Sequence, residues 1–432
     1  MKDLKLAAEQ ALSALKNSGA DLAKCDVGCT VTHEFNVDGG SFSLFRTLFD
    51  KHLVMTAVKD HKKGSVRQNR YDSETIAQTA QNCLATADSS LPDEAWDMAP
   101  EVQNEDFVYG VTTPDLDKLF DRCRELLRDI AGRHPRIIVE QMIVSHKEIK
   151  AVTANSNGVL FSHHCGYYEV SLMFSAHEGE KTSSFFGSGF VTGDMERPFI
   201  ECATVEQDLA DVEKQIETST VDGKFEGVVL LPPGCLASFI SYALSNFASD
   251  GCLLEGTSPW KDSLGETVAD PALTVSLAPL DSRIVIGERV TDDGFRAENY
   301  DLIQDGKLCG FMASQYVSNK IGVDRAPNSS GNLIIRKGDR KLQDIIASID
   351  RGIIVGRFSG GEPSSNGDFS GVAKNSFLIE KGKIAGALSE TMISGNLADM
   401  LKNIYAISDD EICDGMTVLP YMAFNGITVS GK

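Results

Sequence analysis

Apolar residues recur at helical spacing over residues 4–18 (Leu4, Ala8, Ala11, Leu12, Leu15), and Gly19 follows as a C-terminal stop. The period then changes to two. Alternating, β-rich runs over 27–35, 41–49 and 52–58 predict strands, and the polar segment 59–64 reads as a turn into 65–71. Ser73 is the expected N-cap of a helix ending near Ala87. Residues 91–111 are acidic, contain proline and show little periodicity, so a connector is expected there. Pro114 is then expected at the first position of an amphipathic helix with Leu116, Leu119, Cys123, Leu126 and Ile130 on one face.

Residues 137–147 and 148–155 read as two strands, Asn155-Ser-Asn-Gly158 as a turn, and 159–174 as a further β run. Acidic residues 204–217 suggest a helix, and Asp222-Gly223-Lys224 is the candidate boundary to the C-terminal part. That part opens with an apolar strand over 228–231, then Pro232-Pro233-Gly234 and a helix over 236–247. It continues Gly-rich and strand-rich to a helix near 396–404. Strands come in runs and do not alternate with helices, which makes the fold class α+β with antiparallel sheet. We expect an N-terminal α/β sandwich-like region and a larger β-rich C-terminal domain. The expected divisions are a helix-sheet-helix region over 1–90, a middle α+β region over 91–221 and the C-terminal domain over 222–432.

Charge changes this picture by exclusion. The 41 Lys and Arg against 62 Asp and Glu leave a net charge of −21, with no basic tract of the kind that phosphate binding requires, so no nucleic-acid partner is expected. No apolar stretch approaches the roughly 20 residues that a spanning helix needs, and the first residues lack an apolar signal core, so a cytoplasmic chain without a membrane partner is expected. Ten cysteines match no common zinc or redox spacing and read as small buried hydrophobes in a reducing compartment.

Candidate chemistry is sparse. His33-Glu34 and His177-Glu178 are not followed by a second histidine four or five residues on, so neither makes a zinc-peptidase helix. His163-His164-Cys165 is the densest run of metal-ligating types. On a strand, His163 and Cys165 would share a face, but further ligands would have to come from elsewhere. No Gly-x-Ser-x-Gly elbow occurs. All 8 histidines lie between His33 and His177, leaving the last 255 residues with none.

The most distinctive block is Gly360-Gly-Glu-Pro-Ser-Ser-Asn-Gly-Asp-Phe-Ser-Gly371. It runs on through Asn375-Ser-Phe-Leu-Ile-Glu-Lys-Gly-Lys-Ile384 to Ser389-Glu-Thr-Met-Ile-Ser-Gly-Asn-Leu-Ala-Asp-Met400. It reads as a glycine-rich loop, a hairpin turning at Lys381-Gly382, and a helix. Together with Gly64-Ser-Val-Arg-Gln-Asn69, Asn155-Ser-Asn-Gly158 and the ending Asn425-Gly-Ile-Thr-Val-Ser-Gly-Lys432, this resembles the TldD/PmbA family, the so-called modulators of DNA gyrase, in its PmbA (TldE) branch.

The resemblance implies a zinc peptidase in the TldD branch, with ligands in a His-Glu-x-x-x-His helix after a Pro-Gly turn and a later Cys. Here the turn is Pro233-Gly234, and Ser238-Phe239-Ile240-Ser241-Tyr242-Ala243 stands where that motif would lie. Serine and alanine cannot replace imidazole, and phenylalanine cannot activate water. No catalytic residue, metal ligand or cofactor is therefore expected in this chain. The resemblance implies instead a non-catalytic subunit of a cytosolic heteromeric metallopeptidase acting on unfolded peptides. Zinc would belong to a TldD-like partner, and a homodimer is the other assembly to consider. A stand-alone hydrolase around His163, His164 and Cys165, or a regulatory binding protein of the gyrase-modulator type, are the alternatives. Asn366, Gly367 and Asp368 in the loop, with Glu390 and Asn396 flanking the last helix, are the candidate substrate-binding or chamber-lining residues, although a turn and a helix cap would also account for them.

Overall fold

The structure, a computed structural model, describes residues 1–100 and 104–431. Residues 101–103 of the acidic connector and Lys432 of the C-terminal motif lie outside the described residues.

The N-terminal half is one long-stranded sheet with helices on it. Helix α1 (Lys2–Asn17) precedes β1 (Leu22–Asp38), β2 (Ser41–Lys59) and β3 (Lys62–Gln68). Then come α2 (Ser73–Asp88), β4 (Glu105–Gly110), α3 (Leu116–Arg133), β5 (Ile137–Asn155) and β6 (Leu160–Glu178). Strands β7 (Lys181–Thr182) and β8 (Phe186–Thr192) and helix α4 (Val205–Lys214) complete it. The strand order is β3-β2-β1-β5-β6-β4, with β7 and β8 also paired to β6. This sheet crosses the expected division at residue 90, since strands from both sides of it are hydrogen-bonded neighbours.

The helices share a face of that sheet. On β5, Met142 and Val144 pack under α3 and α4, while Val152 and Ala154 pack under α1 and α2. All four positions have the same parity, so the two helix pairs lie side by side along strands of 17 to 19 residues.

Strands β2 and β5 are longer than the sequence predicts. The segment 50–51 and the junction between 147 and 148 read as breaks, yet β2 and β5 run straight through them. Lys51 sits opposite Cys29, Lys147 reaches Glu169 at 2.5 Å, and Glu148 accepts from Lys150 at 2.6 Å. Lys147 finds its counter-charge on the neighbouring strand β6, and Glu148 finds one within β5 itself. The connector contains β4, which runs parallel to β6. Two caps also differ: Asp72, not Ser73, caps α2 by accepting from the Thr75 amide, and Asp115 caps α3, leaving Pro114 outside the helix.

The C-terminal half interleaves two sheets. β9 (Thr218–Ser219) and β10 (Lys224–Leu231) lead into α5 (Pro233–Phe247) and α6 (Asp250–Leu254). A small sheet follows in β11 (Val275–Leu277), β12 (Tyr300–Gln304), β13 (Lys307–Leu308) and, after α7 (Gln315–Ile321), β14 (Leu333–Ile335). Helix α8 (Leu342–Ser348) then precedes β15 (Arg351–Ser359), β16 (Asp368–Glu380), β17 (Lys383–Leu388) and β18 (Thr391–Asn396). The chain ends through α9 (Leu397–Lys402), β19 (Ile404–Ile407), β20 (Ile412–Cys413), β21 (Val418–Leu419) and β22 (Met422–Ser430). β20 and β21 join the small sheet; β9, β10, β15 to β19 and β22 form the large one. Helix α5 covers one face of the large sheet through Leu236, Phe239, Ala243 and Phe247, and α8 covers the other through Ile345 with Leu230 and Ile379. The result is the mixed α+β architecture with a β-rich C-terminal region that the sequence predicts.

Candidate functional site

Helix α5 is where the resemblance would place zinc chemistry. Its sequence is apolar nearly all round because it is wedged between the large sheet and the small one. Ser238 is exposed, and its hydroxyl lies 3.5 Å from the Gly234 carbonyl oxygen one turn back. Phe239 is buried and meets the rings of Phe358 and Phe369 edge-on, at centroid distances of 5.1 and 5.2 Å. Ala243 is buried with no donor atom. Where the resemblance would place a water-activating carboxylate, a phenylalanine thus stands in an aromatic trio. This donor set does not fit zinc.

The glycine-rich loop meets the other end of α5. Asn396 joins that loop to α9: its Nδ2 donates to the Asn366 carbonyl and to Asp368 Oδ1, both at 2.9 Å, while its Oδ1 accepts from the Ala398 and Asp399 amides. Asn366 Nδ2 donates to the other Asp368 oxygen at 2.9 Å, and the amides of Asn396 and Asn366 hold the Asp368 carboxyl below the usual range. Gly367 sits at φ +91°, where a Cβ would come within 2.7 Å of Phe247 Cζ, so only glycine closes the loop on α5. Four of the five candidate residues are therefore one cluster. Glu390 is apart from it, at φ +48° in the turn that opens β18, the strand whose far end is Asn396.

The histidine–cysteine run is spread over two faces of β6. His163 stacks on Phe107 at 5.3 Å, and burial together with Arg289 lowers it to about 4. His164 points the other way, to Glu148 Oε1 at 2.7 Å. Cys165 is buried beside Tyr109, and burial raises its thiol. Of the His-Glu pairs, His33 meets the Thr47 hydroxyl and Glu34 pairs with Arg46. Among the described residues, no three His, Cys, Asp or Glu side chains group in a way that would hold a metal ion.

Two residues escape sequence reasoning. Asp208, within the acidic helix, is pushed by burial up to about 7, against the opposing effect of hydroxyl donors Ser188 at 2.6 Å and Thr204 at 2.7 Å. Its burial depends on contacts far along the chain, so nothing local distinguishes it from Asp211. Asn375 is buried at φ +49° in mid-strand. An asparagine inside an otherwise β-forming run is the one local signal it leaves.

Residues 225–431 match the PmbA/TldA metallopeptidase C-terminal domain. The chain is 25% identical to the metalloprotease PmbA of Escherichia coli, over 91% of this chain and 87% of that one. It is 26% identical to a metalloprotease TldD homolog of Buchnera aphidicola, over 41% and 42% of the two chains. Its fold is that of TldE from Thermococcus kodakarensis, with a TM-score of 0.87 at 19% identity, covering 98% of this chain and 100% of the other. The C-terminal domain match, the near full-length relatives and the shared fold agree, and the chain is similar to PmbA/TldD proteins along nearly its whole length.

Proposed function

We propose that this chain is the non-catalytic, PmbA/TldE-like subunit of a heteromeric zinc metallopeptidase. A TldD-like partner supplies the metal, and the pair processes or degrades unfolded peptides in the cytoplasm. The observation that carries this reading is the face of α5, where Ser238, Phe239 and Ala243 stand in place of two imidazoles and a carboxylate and Phe239 is locked against Phe358 and Phe369. A helix kept in place while its ligands are replaced by packing residues suits a scaffold that assembles and positions peptides. The Asn366–Asp368–Asn396 cluster then serves as a rigid rim of the peptide chamber, with Gly367 fixing its backbone, and Glu390 belongs to the chamber wall.

The test is cleavage of an unfolded, fluorescently labelled casein by the purified chain, alone and mixed with a purified TldD-like partner. Cleavage that requires both and is abolished by a chelator is expected. Chelator-sensitive cleavage by this chain alone would overturn the proposal.

A further inference from the structure

A cavity of about 300 Å³ opens at the N-terminal end of α5, between the large sheet, α4 and α8. Its apolar wall is built by Leu230, Ile346, Ile354 and Phe377. Three polar features interrupt that wall.

The first is the start of α5. Pro232 is the N-cap and offers no side-chain acceptor, so among the described residues the Gly234 and Cys235 amides at the positive end of a 15-residue helix have neither an intrahelical nor a capping partner. The Cys235 thiol beside them is raised by burial to about 12 and is no nucleophile.

The second is Asn375. It is 7% exposed, and among the described residues neither its Oδ1 nor its Nδ2 has a hydrogen-bond partner. An unpaired buried amide is destabilising, and proteins rarely leave one standing without a use for the group. The strand is shaped around it. Ala373 before it and Leu378 after it both face α5 across an odd separation, so the alternation changes phase at Asn375. Opposite, Gly356 leaves open the space where a Cβ would come within 2.5 Å of the Asn375 carbonyl oxygen.

The third is the charge balance. Asp211 is paired with Lys214 at 2.8 Å, and Asp414 accepts from the Met416 and Thr417 amides at 2.8 and 2.7 Å. Asp208 is held up near 7 and the Tyr421 phenol at about 12, both chiefly by burial, so neither sets a full charge against an anion at mildly acid pH.

A carboxamide with both atoms open is complementary to a secondary amide, which offers one donor and one acceptor. Free helix-start amides are complementary to a carboxylate. The apolar wall takes a hydrophobic side chain. We propose that this cavity binds the C-terminal end of an apolar peptide, its carboxylate on the Gly234 and Cys235 amides and its last peptide group on Asn375. The volume lies at the lower end of the roughly 300–1,000 Å³ usual for ligand sites, which suits a terminal residue and not a threaded chain. Every residue of the site belongs to this chain, so the inference goes beyond the subunit reading and does not depend on a partner.

The test is isothermal titration calorimetry of the full chain with N-acetyl-Phe-Leu, its C-terminal amide, and octanoate as a free apolar acid, at pH 6. Saturable binding of the free-carboxylate dipeptide is expected. Amidation should weaken it about tenfold, as expected for loss of a charge-assisted hydrogen bond. Asn375→Gly, which keeps the backbone angle, and Ile346→Phe, which fills the cavity from a half-exposed helix position, should each weaken it at least as much. Absence of saturable binding, or binding unchanged in both variants, overturns the proposal. Octanoate binding as tightly as the dipeptide overturns the amide contact and with it the peptide. The partner-dependent cleavage assay reads separately, so failure of one inference is not failure of the other.

Discussion

The two ends of α5 present the same kind of residue in opposite states. At the C-terminal end, Asn396 and Asn366 spend their amides on Asp368, on the loop backbone and on the start of α9. At the N-terminal end, the Asn375 carboxamide has no hydrogen-bond partner among the described residues. A satisfied polar cluster stabilises its fold, and in the proposed subunit it acts through that rigidity, as a rim. An unsatisfied one costs stability and points outward to a ligand. The difference separates structural asparagines from a recognition asparagine within one family block.

The largest break in this comparison comes from Gly367→Ala. A side chain at φ +91° that meets Phe247 at 2.7 Å should cost about 2–4 kcal/mol, read from urea denaturation. Asn396→Ala removes a cap and a brace together and should cost about 1–2 kcal/mol in the same assay.

Asp208 supplies a pH-dependent effect. Its folded-state value of about 7 lies above the ordinary 3.8, so the fold favours the protonated carboxyl. Its contribution is fully present below 3.8 and is lost as the pH rises from there through about 7. Thermal scans should show Tm falling across that window, and Asp208→Asn should flatten the fall. A fall unchanged in the variant would assign it to other groups.

The smallest effect is expected at Asn375→Gly. Removing an unpaired amide and relaxing φ +49° should leave stability within about 0.5 kcal/mol of the parent, or raise it. A loss as large as that of Asn396→Ala would erase the contrast between the two ends.

Much of the architecture is legible in the sequence because burial follows period. The α1 face, the α3 face, the strand-turn-helix from Val228 to Phe247 and the hairpin at Lys381-Gly382 are all written in apolar spacing and turn chemistry. What local reading misses depends on neighbours across the sheet. The continuity of β2 and β5 rests on cross-strand partners, and β4 is a strand only because β6 lies beside it. The site divides the same way. Asn366, Gly367, Asp368 and Asn396 are found together because a contiguous motif carries them, whereas Asp208 and Asn375 are 167 residues apart in the chain and reach one cavity only through the fold. Glu390 enters the same motif and sits at the far end of its strand.

In the proposed subunit, α5 keeps the place of a zinc helix without its chemistry. Metal analysis by inductively coupled plasma mass spectrometry of the purified chain, loaded with zinc and dialysed, tests it most directly. The account predicts zinc far below one equivalent per chain. One equivalent retained through dialysis, and lost on substitution of α5 residues, would contradict it.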